Sequence, residues 1–357
     1  MKGPLRTVVV GDALLPTRLI VEALEELAPR MEIVAALEWG PPDEAAVDEM
    51  ALRLERDGPE VEEPPPDLQE ILREADALVV HYCPVARTLL AGAPGLKLLA
   101  TCRAGTENLD LAAAAELNVT TVHVVGRTTE AVSDFTIGLL LGEIRNIARA
   151  HTRLSQGLWD KTFVNSPYTP ELQGRTMGIV GFGEVGRAVA RKLGGFDVRL
   201  LASDPYADDD AILAAGAQPS SFENLLATSD FVTLHARPTS GAPPLIGEHE
   251  LSLMKPTAFL INTARAALVD SQALQDALTR RGIAGAALDV HDVEPLGPDH
   301  PFLGLDNVTL TPHLASSTID CMEKSPRLLA ADLRRLFKGE VPRTVLETGD
   351  LAALAGP

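Results

Sequence analysis

The sequence lacks the features that mark several large protein classes. Its three cysteines, Cys83, Cys102 and Cys321, are widely spaced and form no CxxC pair, which argues against a disulfide framework and against a zinc site. No metal is expected, and reduced thiols suit a cytoplasmic protein. Basic clusters are also missing. With 31 Lys and Arg against 50 Asp and Glu, the formal net charge is −19, and such a field repels a phosphate backbone, so nucleic acid is not an expected partner. No apolar run approaches the length that spans a bilayer, so no membrane association is expected. The opening apolar stretch, Thr7-Val8-Val9-Val10, is too short for the core of an export signal and reads as a first strand.

What is present points to two α/β domains, because 357 residues exceed what one hydrophobic core usually serves. In the first third, short apolar runs at 7–10, 32–36, 77–82, 98–102 and 119–124 alternate with amphipathic stretches, which is the pattern of a mainly parallel sheet with flanking helices. A second series follows at 177–182, 198–203, 231–234, 258–262, 286–290 and 308–311. Between them the spacing predicts one long helix over about 130–156, apolar on more than one face through Phe135, Ile137, Leu139, Leu140, Leu141, Ile144 and Ile147. That helix is either interior or part of a subunit interface; periodicity does not decide. The Pro-rich segment 58–66 reads as a surface loop, and 325–337 as an amphipathic helix stopped by Gly339.

Gly181-Phe182-Gly183-Glu184-Val185-Gly186 follows one of these strands and opens a helical stretch. Strand, glycine turn and helix in that order suit a dinucleotide pyrophosphate: the glycines allow a tight turn and close backbone approach, and the helix N-terminus supplies donors. The next strand ends at Asp204, near the offset of an acid that accepts from ribose hydroxyls and repels a 2′-phosphate. NAD is therefore the expected cofactor, held by Gly181, Gly183, Glu184, Val185, Gly186 and Asp204.

Three downstream segments, 261–265 (Ile-Asn-Thr-Ala-Arg), 287–290 (Ala-Leu-Asp-Val) with Glu294-Pro295, and 311–314 (Thr-Pro-His-Leu), each stand at or just past a strand end, where open α/β sheets bind ligands. With the glycine turn, their ordered combination resembles the D-2-hydroxyacid dehydrogenase family over nearly the whole chain. The resemblance implies two Rossmann-like domains with the active site in the cleft between them. It places a substrate domain at 1–126 and 317–357 and an NAD-binding domain at 127–316. It also implies a small 2-hydroxy or 2-keto acid substrate and a homodimer. By the same resemblance His313 is the acid/base, Glu294 its partner and Arg265 the substrate-orienting cation, with Thr263 and Asp289 on the cofactor side. The chemistry agrees: ketone reduction needs a proton at oxygen as hydride reaches carbon, and an imidazole held by a carboxylate suits that.

The stretch 102–110, Cys-Arg-Ala-Gly-Thr-Glu-Asn-Leu-Asp, resembles the family loop whose backbone N–H groups hold the substrate carboxylate, which assigns Arg103, Ala104 and Gly105 to substrate. The family usually has glycine where Arg103 stands and asparagine where Thr128 stands. Arg103 and Arg127 either face the substrate and select a second anionic group, or pair with acids such as Glu107, Glu130 or Asp134. The phosphoglycerate dehydrogenase branch is similar through the long helix, but a regulatory domain is not expected in the short remainder after Gly339. A different class, an NAD(H)-sensing scaffold like the C-terminal-binding corepressors, shares the same fold.

Overall fold

A computed structural model describes residues 3–239, 241–342, 344–347, 349 and 354. The chain divides into two compact units, residues 1–127 with 318–357, and residues 128–317.

The first unit opens with β1 (Leu5–Asp12), α1 (Thr17–Glu25), β2 (Met31–Trp39), α2 (Glu44–Asp57), α3 (Leu68–Leu72), β3 (Ala77–Val80), α4 (Arg87–Ala91), β4 (Leu98–Thr101), α5 (Leu111–Glu116) and β5 (Thr120–Val122). These strands pair in parallel in the order β2-β1-β3-β4-β5. Val8, Val9 and Val10 are wholly buried, as expected of a strand covered on both faces. The proline-rich loop after α2 holds one 3-10 turn, Pro59–Val61. It is tied down where the Trp39 indole donates to the Glu63 carbonyl at 2.9 Å.

The second unit runs α6 (Thr129–Ile144), α7 (Ile147–Ser155), β6 (Thr176–Val180), α8 (Glu184–Leu193), β7 (Arg199–Ser203), α9 (Asp209–Ala214), β8 (Gln218–Pro219), α10 (Phe222–Thr228), β9 (Phe231–Leu234), α11 (Glu248–Leu253), β10 (Phe259–Asn262), α12 (Ser271–Thr279), β11 (Gly285–Leu288) and β12 (Val308–Leu310). The seven strands among its described residues are parallel, in the order β12-β11-β10-β9-β6-β7-β8. The chain then returns to the first unit with α13 (Ile319–Phe337), which packs on α1, and β13 (Val345–Glu347), antiparallel to β5.

Two expectations need correction. The single helix over 130–156 is two helices, because Asn146 adopts φ 59 and ψ 28, a left-handed conformation no helix continues through. α6 buries Leu139, Leu140, Glu143 and Ile144 and is interior. α7 buries nothing. The last helix starts at Ile319 rather than at Ser325, because the Thr318 hydroxyl caps it by accepting from Cys321 N–H, a contribution of about 1 kcal/mol. The strands β8 and β13, of two and three residues, are too short to show a periodicity. No helix among the described residues is long and apolar enough to cross a membrane, and none of their His, Cys, Asp and Glu side chains form a group of three or more fit for a metal ion.

Candidate active site

In the second unit the register aligns six strand ends on one line: Ser203 beside Val180, Val180 beside Leu234, Leu234 beside Asn262, Asn262 beside Leu288, and Leu288 beside Leu310. The residues that follow these ends, Asp204, Gly181, His235, Thr263, Asp289 and Thr311, therefore stand along one carboxyl edge of the sheet. That edge is where a parallel sheet has room for a ligand, since its helices cover the faces.

The glycine turn on this edge fits a dinucleotide. Gly181 has φ +88, and a Cβ there would collide with the backbone of His235 and Ala236. A Cβ on Gly186 would collide with the Gly181 carbonyl, so this glycine sets how closely α8 packs on β6. Around Gly183, at the N-cap of α8, no atom stands within 4 Å of a Cβ position, which leaves room for a phosphate at the helix N-terminus. Glu184 and Val185 form the first turn of α8, with Glu184 bound to Arg187 at 2.7 Å. Asp204 takes Phe182 N–H at 2.6 Å and Tyr206 N–H at 2.8 Å, so its carboxylate is fixed against the same turn. Burial forces the His235 imidazole down to about 3, so that ring is neutral and bonds to Thr233. Thr136 donates to Val132 O at 2.7 Å, so in its 2.7 Å contact with Thr263 the Thr263 hydroxyl is the donor. The Thr263 oxygen keeps acceptor capacity toward the edge.

His313, Glu294 and Arg265 are also brought together on this unit. The His313 Nδ1–H donates to Glu294 Oε2 at 2.8 Å, leaving Nε2 to face outward from a side chain that is 39% exposed. The other Glu294 oxygen accepts His291 N–H at 2.9 Å. The Nδ1 hydrogen bond to Glu294 is the main cause raising the His313 pKa above its ordinary value; partial burial works against it, and the nearby Arg265 charge lowers it. Burial pushes Glu294 upward, but its bonds from His313 and His291 prevail and hold it below the usual carboxylate range. The pair thus favours imidazolium and carboxylate together. Arg265 is exposed and sits on a turn shaped by buried Asn262, which donates to Arg265 O at 2.9 Å and accepts from Ala264 N–H at 3.0 Å.

Asp289, expected on the cofactor side, also has a set of bonds within its own unit. It is wholly buried, and its carboxylate accepts from the Thr311 hydroxyl at 2.6 Å and from Leu314 and Ala315 N–H, each at 2.9 Å. These bonds clamp the turn on both sides of His313. His313 has φ +56, a left-handed conformation costing about 1–2 kcal/mol for a side chain with a Cβ. The clamp is what holds it there.

In the first unit, β4 ends beside β3 at Thr101 and Val80, and the loop from Cys102 follows. The N–H groups of Ala104 and Gly105 have no partner among the described residues, while Ala104 O accepts from the His123 ring at 2.8 Å. Arg103 does not present a cation to a ligand. It is 3% exposed and bound to Glu55, Glu107 and Asn108, because two carboxylates within reach offset the charge of a guanidinium that burial would otherwise penalise. Arg127 is half-buried and has no carboxylate partner among the described residues; its Nη1 lies 3.5 Å from the Met322 sulfur. Glu130 and Asp134 pair with Arg191 and Lys192 instead.

Asn262, His291, Thr311 and Thr136 were not among the site residues expected from sequence. A polar side chain directly after or ending an apolar strand was the available signal for Asn262 and Thr311. Nothing local marked His291 or Thr136.

Residues 137–315 match the model of the D-isomer specific 2-hydroxyacid dehydrogenase, NAD binding domain. The chain is 39% identical over 286 residues to a protein named glyoxylate reductase from Thermofilum pendens, covering 78% of this chain and 84% of that one. It is 33% identical over 282 residues to a D-3-phosphoglycerate dehydrogenase from Methanocaldococcus jannaschii, covering 78% of this chain and 53% of that one. Among solved structures, a glyoxylate reductase from Paecilomyes thermophila superposes with TM-score 0.73 at 25% identity, covering 96% of this chain and 98% of that chain.

Proposed function

The chain belongs to the D-isomer specific 2-hydroxyacid dehydrogenase family, and from that premise we propose that its second unit binds NAD(H), that its first unit binds the substrate, and that it moves a hydride to or from C2 of a 2-keto or 2-hydroxy acid. The observation that carries this is the His313–Glu294 pair, 2.8 Å apart, on the strand edge that also holds the glycine turn and Asp204. When bound, nicotinamide supplies the hydride or accepts it. The residues do the rest. His313 holds a proton on Nε2 for the oxygen at C2, and Glu294 keeps it charged and oriented. Arg265 offers a planar pair of donors to the carboxylate and the C2 oxygen. The amides of Ala104 and Gly105 are fixed donors suited to a substrate carboxylate. Asp204, as a ribose acceptor and a repulsive charge, favours NAD over NADP.

Relatives named for glyoxylate and for D-3-phosphoglycerate bracket the substrate between one anionic group and two. Arg127, without a carboxylate partner among the described residues, supports a second anionic group on the substrate. A panel of 2-keto acids tests all of this at once: NADH is expected to be oxidised with at least one of them, faster than NADPH, and fastest with a phosphorylated or dicarboxylate member. Tight NADH binding with no turnover on any keto acid would sink the enzyme reading and favour a sensing scaffold.

We also infer a homodimer working in the cytoplasm. The three cysteines are free and buried, as suits a reducing compartment. Ile147, Leu154, Leu158 and Trp159 are 58%, 56%, 41% and 77% exposed on and after α7, a run of apolar surface that a second copy of this chain would cover. Sedimentation is expected to give twice the chain mass, and Leu154→Glu to shift it toward monomer; a wild-type monomer at micromolar concentration contradicts the dimer.

A further inference from the structure

We propose that Arg103 is a positioning residue that braces the carboxylate-holding loop, a role that rests on the reading of Ala104 and Gly105 as substrate donors. Its guanidinium lies 3.9 Å over the Tyr82 ring. One nitrogen, Nη1, donates to Asn108 Oδ1 at 3.0 Å; the other, Nη2, reaches Glu55 on α2 and, at 3.6 Å, Glu107. Asn108 passes the restraint on, donating from Nδ2 to the carbonyls of His81 and Cys83, each at 3.0 Å. One side chain therefore joins α2, the end of β3 and both arms of the loop after β4.

The brace touches the amides that matter. A Cβ on Gly105 would collide with the Glu107 carboxylate and come 3.2 Å from Arg103 Nη2, so the Gly105 backbone lies directly on the ion pair. The peptides of Ala104 and Gly105 are held from the other side by the His123 ring on Ala104 O. Fixing donors before substrate arrives lowers the ordering cost of binding. A glycine at 103 supplies none of these contacts. A lysine cannot replace them, because the role needs a flat cation that stacks on one face and forks at its edge.

Three roles are distinguishable. A reader of a second anion affects anionic substrates selectively, a fold element affects only melting temperature, and a brace affects every keto acid alike through KM. Arg103→Ala is therefore expected to raise KM about tenfold or more, within the hundredfold that a 1 Å misplacement can cause, by the same factor for a short keto acid and for its phosphorylated analogue. kcat and NADH affinity should stay within about threefold. Arg103→Lys should not restore KM, and the milder Glu55→Gln should raise it in the same direction, with non-additive effects in the double variant. Hydrogen exchange at Ala104 and Gly105 should quicken in Arg103→Ala relative to the amides of β1. That last readout needs no turnover, so an inactive wild type would count against the reaction and leave the brace to be judged by exchange. Selective loss of the anionic analogue, full rescue by lysine, or unchanged KM together with unchanged exchange overturns the brace.

Discussion

Replacing His313 with Asn is expected to lower kcat for keto-acid reduction by about two to four orders of magnitude, the usual range for loss of a positioned proton donor, while NADH affinity changes little. Asparagine occupies similar space, tolerates the left-handed conformation at φ +56, and can still donate toward Glu294. What it cannot do is release a proton to the C2 oxygen. The companion Glu294→Gln isolates the electrostatic part. The raised pKa of His313 comes first from its bond to Glu294, so the amide lowers it. Reduction uses the imidazolium, so the alkaline limb of its pH profile should move to lower pH, by about one unit or more. The reverse reaction uses neutral imidazole, so the rising limb of its profile should move the same way. Loss of NADH binding in His313→Asn, or a pH profile that stays in place in Glu294→Gln, contradicts these roles.

Much of this edge was legible in the sequence for a physical reason. Parallel strands buried on both faces read as unbroken apolar runs, and the first polar residue after each run falls at the carboxyl end. The glycine turn at Gly181 and the acid at Asp204 were found that way, Thr263 and Asp289 came from the family resemblance, and the structure aligns the four strand ends in register. The glycines were legible because each has a separate steric reason, and sterics at a tight turn are local. The direction a polar side chain takes is not local. Asp289 and Asp204 both follow a strand, yet the first is turned into the interior by donors 22 to 26 residues further on.

The same limit explains Arg103. Its sequence neighbours showed a cation beside a proposed carboxylate site and offered Glu107 as a partner, which it reaches; what they could not show is the second carboxylate, Glu55, from a helix 48 residues earlier. The helix break was hidden as well, because Asn146 interrupts a run whose apolar periodicity continues on both sides. α6 buries its apolar residues within the unit and α7 does not, a difference that depends on what each helix meets.

Asp289→Ala is expected to have the largest combined effect on stability and turnover. Its carboxylate is the acceptor for three donors around His313, and hydrogen bonds to a charged group contribute about 1.5–3 kcal/mol each when buried. Leu314 is 44% exposed, so water can replace part of that loss at its N–H. Ala315 is 3% exposed, and its N–H would be left without a partner. A net cost near 3 kcal/mol is reasonable, which lowers Tm by about 6–12 °C for a unit of this size. Released from the clamp, His313 is free to leave its strained conformation, and kcat should fall about a hundredfold from misplacement alone. Asp289→Asn should lie between, since it keeps one acceptor but turns an amide donor toward donors. NADH affinity provides the decisive contrast. A residue that held nicotinamide would, on truncation, raise the dissociation constant of NADH and leave the melting temperature of the cofactor-free protein unchanged, and that outcome would return Asp289 to the cofactor side.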